Sequence, residues 1–381
     1  PTPVSPPPGT GPSGTPRTDG GGALPLEDFS GWQYWWEFNK DRFLNLRAEL
    51  QNTGASTEIS SVLGLLGSGA LARSPAMVRA DVIRDLILPA LHKAATTETD
   101  TDVITGCLVA IARVGRDAEG RALALFESKL KAPSQEVGET AAICFGILKD
   151  PAALPLLESL VMDQPEGRAR VGDGEVPART RTFAIYAVGL IGSASPVDEI
   201  QTQTADLLLR VLATDRSAVN DLRVAAVLSL GMLQAHDAAL RMRIVTELIQ
   251  KLEVQREDDI VLAHGPTALA KLLRDAPAGD PARELALDLM LRLLEPRSKA
   301  GALTRQSATF ALGMLARAED PRSPEIFSAL VKVHASSRDR QTKHFTAIAM
   351  AYLGAADPRF NSAERQSPAT AFLLDGLRHG D

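Results

Sequence analysis

The chain has 381 residues, 23% of them charged, with a formal net charge of −6 and an isoelectric point near 5.7. That length exceeds what one compact core usually fills, and two cysteines are too few for a disulfide scaffold or a thiolate zinc centre. The acidic balance argues against a nucleic-acid groove, and no run of about 18 apolar residues is present to cross a bilayer.

Residues 1–27 are predicted to be a disordered tail. Eight prolines and six glycines fall within residues 1–25, a composition that cannot bury enough apolar surface to offset its ordering entropy. The sequence starts without methionine, which reads as a processed or trimmed product. The expected location is periplasmic or extracellular, after removal of a signal peptide, with the cytoplasm as the alternative. Residues 28–74 are predicted to be a tryptophan-rich cap and loop. All three tryptophans, and seven of the 17 aromatic residues, lie between Phe29 and Phe43. Two readings stand for Trp32, Tyr34, Trp35 and Trp36: they cover the open end of a helical array, or they form a partner-binding patch, because such residues dominate interface hot spots.

Residues 75–381 are predicted to be a helical-repeat array. A small residue recurs at Ala112, Gly146, Gly189, Gly231, Ala270, Gly313 and Ala351, with spacings of 34, 43, 42, 39, 43 and 38 residues. These spacings suit two-helix solenoid units. One place before each anchor stands a large apolar residue, from Ile111 and Phe145 to Leu312 and Met350. Two places after stands an aliphatic, and five places before a small residue, such as Ala141, Ala184 or Ala226. These offsets form one stripe on a helix of 3.6-residue period. Small residues allow stacked helices to approach within about 8–10 Å of one another. The two cysteines, Cys107 and Cys144, are read as core packing residues of this kind.

The first helix of each unit is signalled by a cap residue before a proline: Asp150-Pro151, Asp280-Pro281, Ser323-Pro324 and Ser367-Pro368. Residues 163–179 form the longest insertion, and its Asp173-Gly174-Glu175 lacks calcium-loop spacing. His264-Gly265-Pro266 falls inside a second helix and is expected to kink or restart it. Pro368 to Arg378 reads as a first helix without its second, whose Phe372, Leu373, Leu374 and Leu377 fold back on the last hairpin or support self-association.

The segments Arg305-Gln-Ser-Ala-Thr-Phe-Ala-Leu-Gly-Met-Leu315 and Arg223-Val-Ala-Ala-Val-Leu-Ser-Leu-Gly-Met-Leu233 resemble the second helix of HEAT repeats over roughly residues 75–360. The resemblance implies an all-α, right-handed alpha-alpha superhelix, an armadillo-type solenoid of about seven to eight hairpins. It also implies that Arg181, Arg223, Arg305 and Lys343, eight places before their anchors, pair with acidic loop residues. The proline-rich tail leading into Trp-Trp-Glu-Phe-Asn-Lys is similar to the start of a group of bacterial HEAT-repeat proteins that look exported.

Chemistry is scarce in the sequence. It contains no His-x-x-x-His pair, no nucleophile elbow and no phosphate loop ending in Lys-Ser or Lys-Thr. The expected function is a non-enzymatic scaffold that binds a protein or peptide, with no cofactor, no metal and no nucleic acid. The alternative is a regulatory subunit or HEAT-like enzyme with a site near the 163–179 loop and the His264–Pro266 notch. Three places before the anchors stand Val109, Ile143, Tyr186, Leu228, Thr267, Phe310 and Ile348. This second apolar stripe reads either as packing between neighbouring helices or as an exposed groove, with Tyr186, Leu228, Phe310 and Ile348 as its floor.

Overall fold

The computed structural model describes residues 80–115, 119–214, 220–253, 258–361 and 367–379. The tail and the tryptophan segment lie outside the described residues, as do Trp32, Tyr34, Trp35 and Trp36. Among the described residues all regular structure is helical, with no strand. After a π-helical turn at Ile83–Ile87, α1 (Leu88–Thr97) pairs with α2 (Thr101–Val114), and α3 (Arg121–Lys129) with α4 (Gln135–Leu148). Next, α5 (Leu154–Val161) carries the short α6 (Pro165–Val171) and pairs with α7 (Ala178–Ala194). Then α8 (Asp198–Thr214) pairs with α9 (Asn220–Met232), and α10 (Ala238–Glu253) with α11 (Asp259–Leu272). Finally α12 (Pro281–Leu294) pairs with α13 (Ala302–Leu315), α14 (Ser323–Ser336) with α15 (Arg340–Ala356), and α16 (Pro368–His379) packs on α15. The fold is an all-α solenoid.

Each of the seven anchors sits on its own second helix, and those helices pack in one unbroken row: α2, α4, α7, α9, α11, α13, α15. The reason is steric. A Cβ on Gly146 would lie 2.3 Å from the Ala187 Cα, one on Gly231 2.7 Å from the Ala268 Cα, and one on Gly313 2.5 Å from the Ala349 Cα. On Gly189 it would lie 2.6 Å from the Ser229 Cβ. Every one of these contacts joins an anchor to the residue two places before the next anchor. The row is thus a series of small-on-small junctions at which neighbouring backbones meet. The first six anchors are buried, whereas Ala351, with no further second helix beyond it among the described residues, is exposed. The large apolar neighbours Ile111, Phe145, Val188, Leu230, Leu269, Leu312 and Met350 fill the core between the two rows.

The loops are closed by arginines. Arg283 is fully buried: its Nε and Nη2 donate to the Leu315 carbonyl at 3.1 and 2.7 Å, Nη1 reaches Glu284 at 3.0 Å, and Nη2 pairs with Asp320. Arg317 donates to the Leu273, Arg274 and Ala276 carbonyls at 2.7, 2.6 and 3.0 Å, which satisfies the C-terminal end of α11. Arg359 bonds Asp357 at 2.6 Å and holds that buried carboxyl down at about 2. Two of the arginines expected to pair with loop acids also cap helix ends. Arg181 donates to the Val161 carbonyl at 3.0 Å, and Arg305 to the Leu294 and Glu295 carbonyls at 3.3 Å.

Two local expectations are corrected, at Ser323 and Pro266, and the 163–179 insertion proves to be ordered. Ser323 does not cap α14: Arg322 occupies the cap position, and Asp320 accepts the Arg322 amide at 2.9 Å. The 163–179 insertion contains a helix, because the Asp163 carboxylate takes two bonds from Arg168 (3.0 and 2.6 Å) and one from the Val176 amide (2.8 Å). Gly167 then lets α6 press on α5, where a Cβ would meet the Ser159 carbonyl oxygen at 2.4 Å. Pro266 does not restart its helix: α11 runs through it, with the ring buried and Gly265 making room for Leu252. Burial of the ring offsets the lost amide donor.

Candidate functional site

On a second helix, the positions three before and one after the anchor face away from the core stripe, so they form the solvent side of the row. The structure divides the predicted apolar stripe by position along the stack. Val109, Ile143 and Tyr186, on α2, α4 and α7, are half-buried and pack against the core. This half is packing between neighbouring helices. Burial pushes the Tyr186 phenol above its usual range, helped by the charge of Asp221. Leu228 and Phe310 are also half-buried but, with Ile348, are not among the described side chains that pack against that core. Ile348 remains 39% exposed.

The four proposed floor residues stand on α7, α9, α13 and α15, with the polar Thr267 of α11 between Leu228 and Phe310. Tyr186 belongs to the packed half, and Leu228 on α9 lies at the transition. Phe310 and Ile348 lie on adjacent helices, and Phe310 sits in an aromatic cluster absent from the sequence reading. Its ring centroid is 5.9 Å from Phe345 and 5.7 Å from Tyr352, the latter edge-on. Offset and edge-to-face rings at this distance attract beyond their burial alone. Phe345 stands six places before its anchor, a register at which the other repeats carry no consistent type, so periodicity gave no signal for it. Two further exposed aliphatics, Ile260 on α11 and Leu303 on α13, each occur ten places before an anchor at the start of a helix. Their isolation in the sequence hid them.

The features of the alternative reading are not brought together. α6 packs on α5, whereas the His264–Pro266 notch lies in α11, which packs between α9 and α13. Burial, with Lys271 nearby, lowers the pKa of His264. A pocket beside Gly265 is lined mainly by Leu212, Val227, Leu248, Leu252 and Val261 and holds only about 20 Å³. Cys107 and Cys144 are buried free thiols, and burial pushes that of Cys144 up to about 12. Among the described residues no group of His, Cys, Asp and Glu is placed to hold a metal, and no helix is long and apolar enough to cross a membrane.

No family model matches the sequence, and no curated protein matches it. Solved structures to which the chain is similar include an engineered protein (15% identity, TM-score 0.34, covering 71% of this chain and 97% of that one). A designed armadillo repeat protein is similar at 14% identity and TM-score 0.32, over 70% of this chain and 99% of that one. Human deoxyhypusine hydroxylase, solved in complex with glycerol, is similar at 17% identity and TM-score 0.28, over 71% and 96%. These likenesses carry no argument about activity.

Proposed function

We propose that this chain is a non-enzymatic scaffold of HEAT type that docks a protein or peptide partner on the solvent side of its second helices. The observation that supports this reading is the unequal apolar stripe: its first half packs against the core, whereas in its second half Ile348 stands exposed beside the half-buried Phe310. Exposed apolar surface on a folded chain costs solubility and is commonly retained for binding. The earlier resemblance to exported bacterial HEAT-repeat proteins belongs to the same proposal.

Capture from the native source with the full chain, compared with Leu228→Glu and Phe310→Glu variants, tests the reading. The expected result is a protein retained by the parent and lost by the variants, all melting at the same temperature. Equal retention by parent and variants, or none by either, would overturn it.

A further inference from the structure

The first half of the second-helix row carries a separate feature. Between α4 and α7, on the solvent side, a cavity of about 510 Å³ is lined by Glu136, Glu139, Thr140, Ile143, Arg179 and Phe183. Ile143 and Phe183 are half-buried and pack on the core, so they give it an apolar floor. Glu139 is a buried carboxylate: one oxygen accepts the Gln135 amide at 2.6 Å, and the other meets the Arg179 guanidinium at 3.0 Å, which reaches in from an exposed position. Glu136, one turn earlier, is exposed and makes no ion pair among the described residues.

Two carboxylates thus share the cavity with one guanidinium, and the described charges around it do not restore the balance. Asp102 opens α2 on one side and Asp221 opens α9 on the other, both exposed in a first turn. The helix start favours a carboxylate there but offers only about half a compensating charge. Asp221 also helps to raise the Tyr186 phenol on α7, so its charge is felt across this side. In the 163–179 insertion the exposed Asp173 and Glu175 outnumber Lys131, which packs beside Gly172, while Arg168 and Arg170 are tied to Asp163 and Glu127. Arg181 and Arg223 serve the first-helix side, at the Val161 carbonyl and in the small pocket beside Gly265. Arg113 and Lys149 stand at the far ends of α2 and α4, roughly 16–20 Å along the helices, well beyond the screening length of about 8 Å.

We infer that the cavity between α4 and α7 takes an arginine or lysine side chain of a basic peptide segment laid across the starts of α2, α4, α7 and α9. The site lies apart from Phe310 and Ile348 and does not depend on that docking face. The aliphatic stem of the incoming residue rests on Ile143 and the Phe183 ring, and its cationic head reaches Glu136 beside Glu139. Arg179 already shows the kind of group that Glu139 accepts, and an incoming cation competes with it. Asp102 and Asp221 attract further basic residues on either side and repel acidic segments. Four adjacent helices span about 27 Å between the outer axes, which an extended segment of about eight residues covers.

The test is selection of random peptides displayed on phage against the immobilised full chain, followed by anisotropy titration of synthetic copies of the enriched peptides. Enriched sequences are expected to carry several Arg or Lys residues and to bind more weakly as salt is raised. Glu136→Lys, at an exposed position, should melt like the parent and bind these peptides at least about tenfold more weakly. Arg179→Ala frees the Glu139 carboxylate and should instead tighten binding by about threefold or more, a gain that a merely structural ion pair would not give. If that chain melts lower, Arg179→Gln is measured in its place, with a gain of the same sign expected. Glu247→Lys, exposed on the outer helix α10, and Phe310→Glu should both leave binding within about twofold of the parent. Enrichment of acidic or uncharged peptides, or of none, overturns the inference. So do basic peptides that are indifferent to Glu136→Lys, bind Arg179→Ala no better, or lose as much with Glu247→Lys, which would mean attraction to an acidic chain in general. Loss of binding in Phe310→Glu would put the peptides on the α11–α15 face, overturning this site and leaving the docking role standing.

Discussion

Replacing Arg283 with alanine is expected to cost about 3–5 kcal/mol, the range for removing one partner of a buried ion pair. Arg283 and Asp320 are both essentially inaccessible to water, so the substitution leaves a carboxylate in a dry loop without its main cation. It also removes two donors from the Leu315 carbonyl, at the C-terminal end of α13. The Asp320 that remains still accepts the Arg322 amide, which orients it but supplies no formal charge. The double replacement Arg283→Met/Asp320→Leu should recover most of the loss, because a well-packed apolar pair costs no charge desolvation. Urea denaturation of the three chains checks this. Because a solenoid is stabilised layer by layer, hydrogen exchange should show the loss concentrated in α12 to α15. A single-substitution cost below about 1 kcal/mol would mean that the pair is relaxed by water and does not hold this loop closed.

Gly146→Leu is expected to be the most damaging single change in the helix row, at about 3 kcal/mol or more, because overpacking here pushes on backbone. A glycine inside a helix ordinarily costs about 1 kcal/mol relative to alanine, so Gly146→Ala would stabilise if space were available. It is not available: the added Cβ meets the Ala187 Cα at 2.3 Å, and α7 can yield only by moving as a unit. A net loss of about 1–2 kcal/mol is expected for Gly146→Ala once the clash outweighs the propensity gain. Gly106 provides the control. It too lies mid-helix, in α2, but nothing stands within 4 Å of its Cβ position. Gly106→Ala should therefore stabilise by up to about 1 kcal/mol. Chemical denaturation of both variants decides the matter, and a stabilising Gly146→Ala would mean that the second helices do not stack in the register described.

The contrast between those two glycines shows what could be read from the residues alone. The anchors were legible because a small residue between fixed apolar neighbours recurs on seven helices, and the solenoid followed from that period. Register separates Gly146, an anchor, from Gly106, six places before one, but the atoms that each would meet are set by the position of the next helix. The same limit hid the receiving residues Ala187, Ser229, Ala268 and Ala349, because alanine and serine are ordinary helix residues until a backbone is seen against them. Pro266 suggested a restart that does not occur for a related reason: its local cost was readable, while the burial that offsets it is a tertiary property. In the insertion, Asp163 and Arg168 could have signalled order, but five residues apart they fit no helical pairing rule, and the Val176 amide that completes the site lies further along the chain.

For the candidate face, the repeat register marks positions but not whether they are buried. Val109 and Ile348 occupy the same register and have similar side chains, yet the first packs on the core and the second stands in solvent. Burial depends on which neighbours each helix meets, and these change along the stack.

Carbene footprinting of the free, full chain is the measurement closest to the central claim that the last three second helices carry an open apolar face. Ile260, Leu303, Phe310 and Ile348 should be labelled, while Val109, Ile143 and Tyr186 react less and Leu312 and Met350 remain unlabelled. If Ile348 and Leu303 proved as protected as Leu312, the face would be covered in the free chain, and the docking surface described here would not exist.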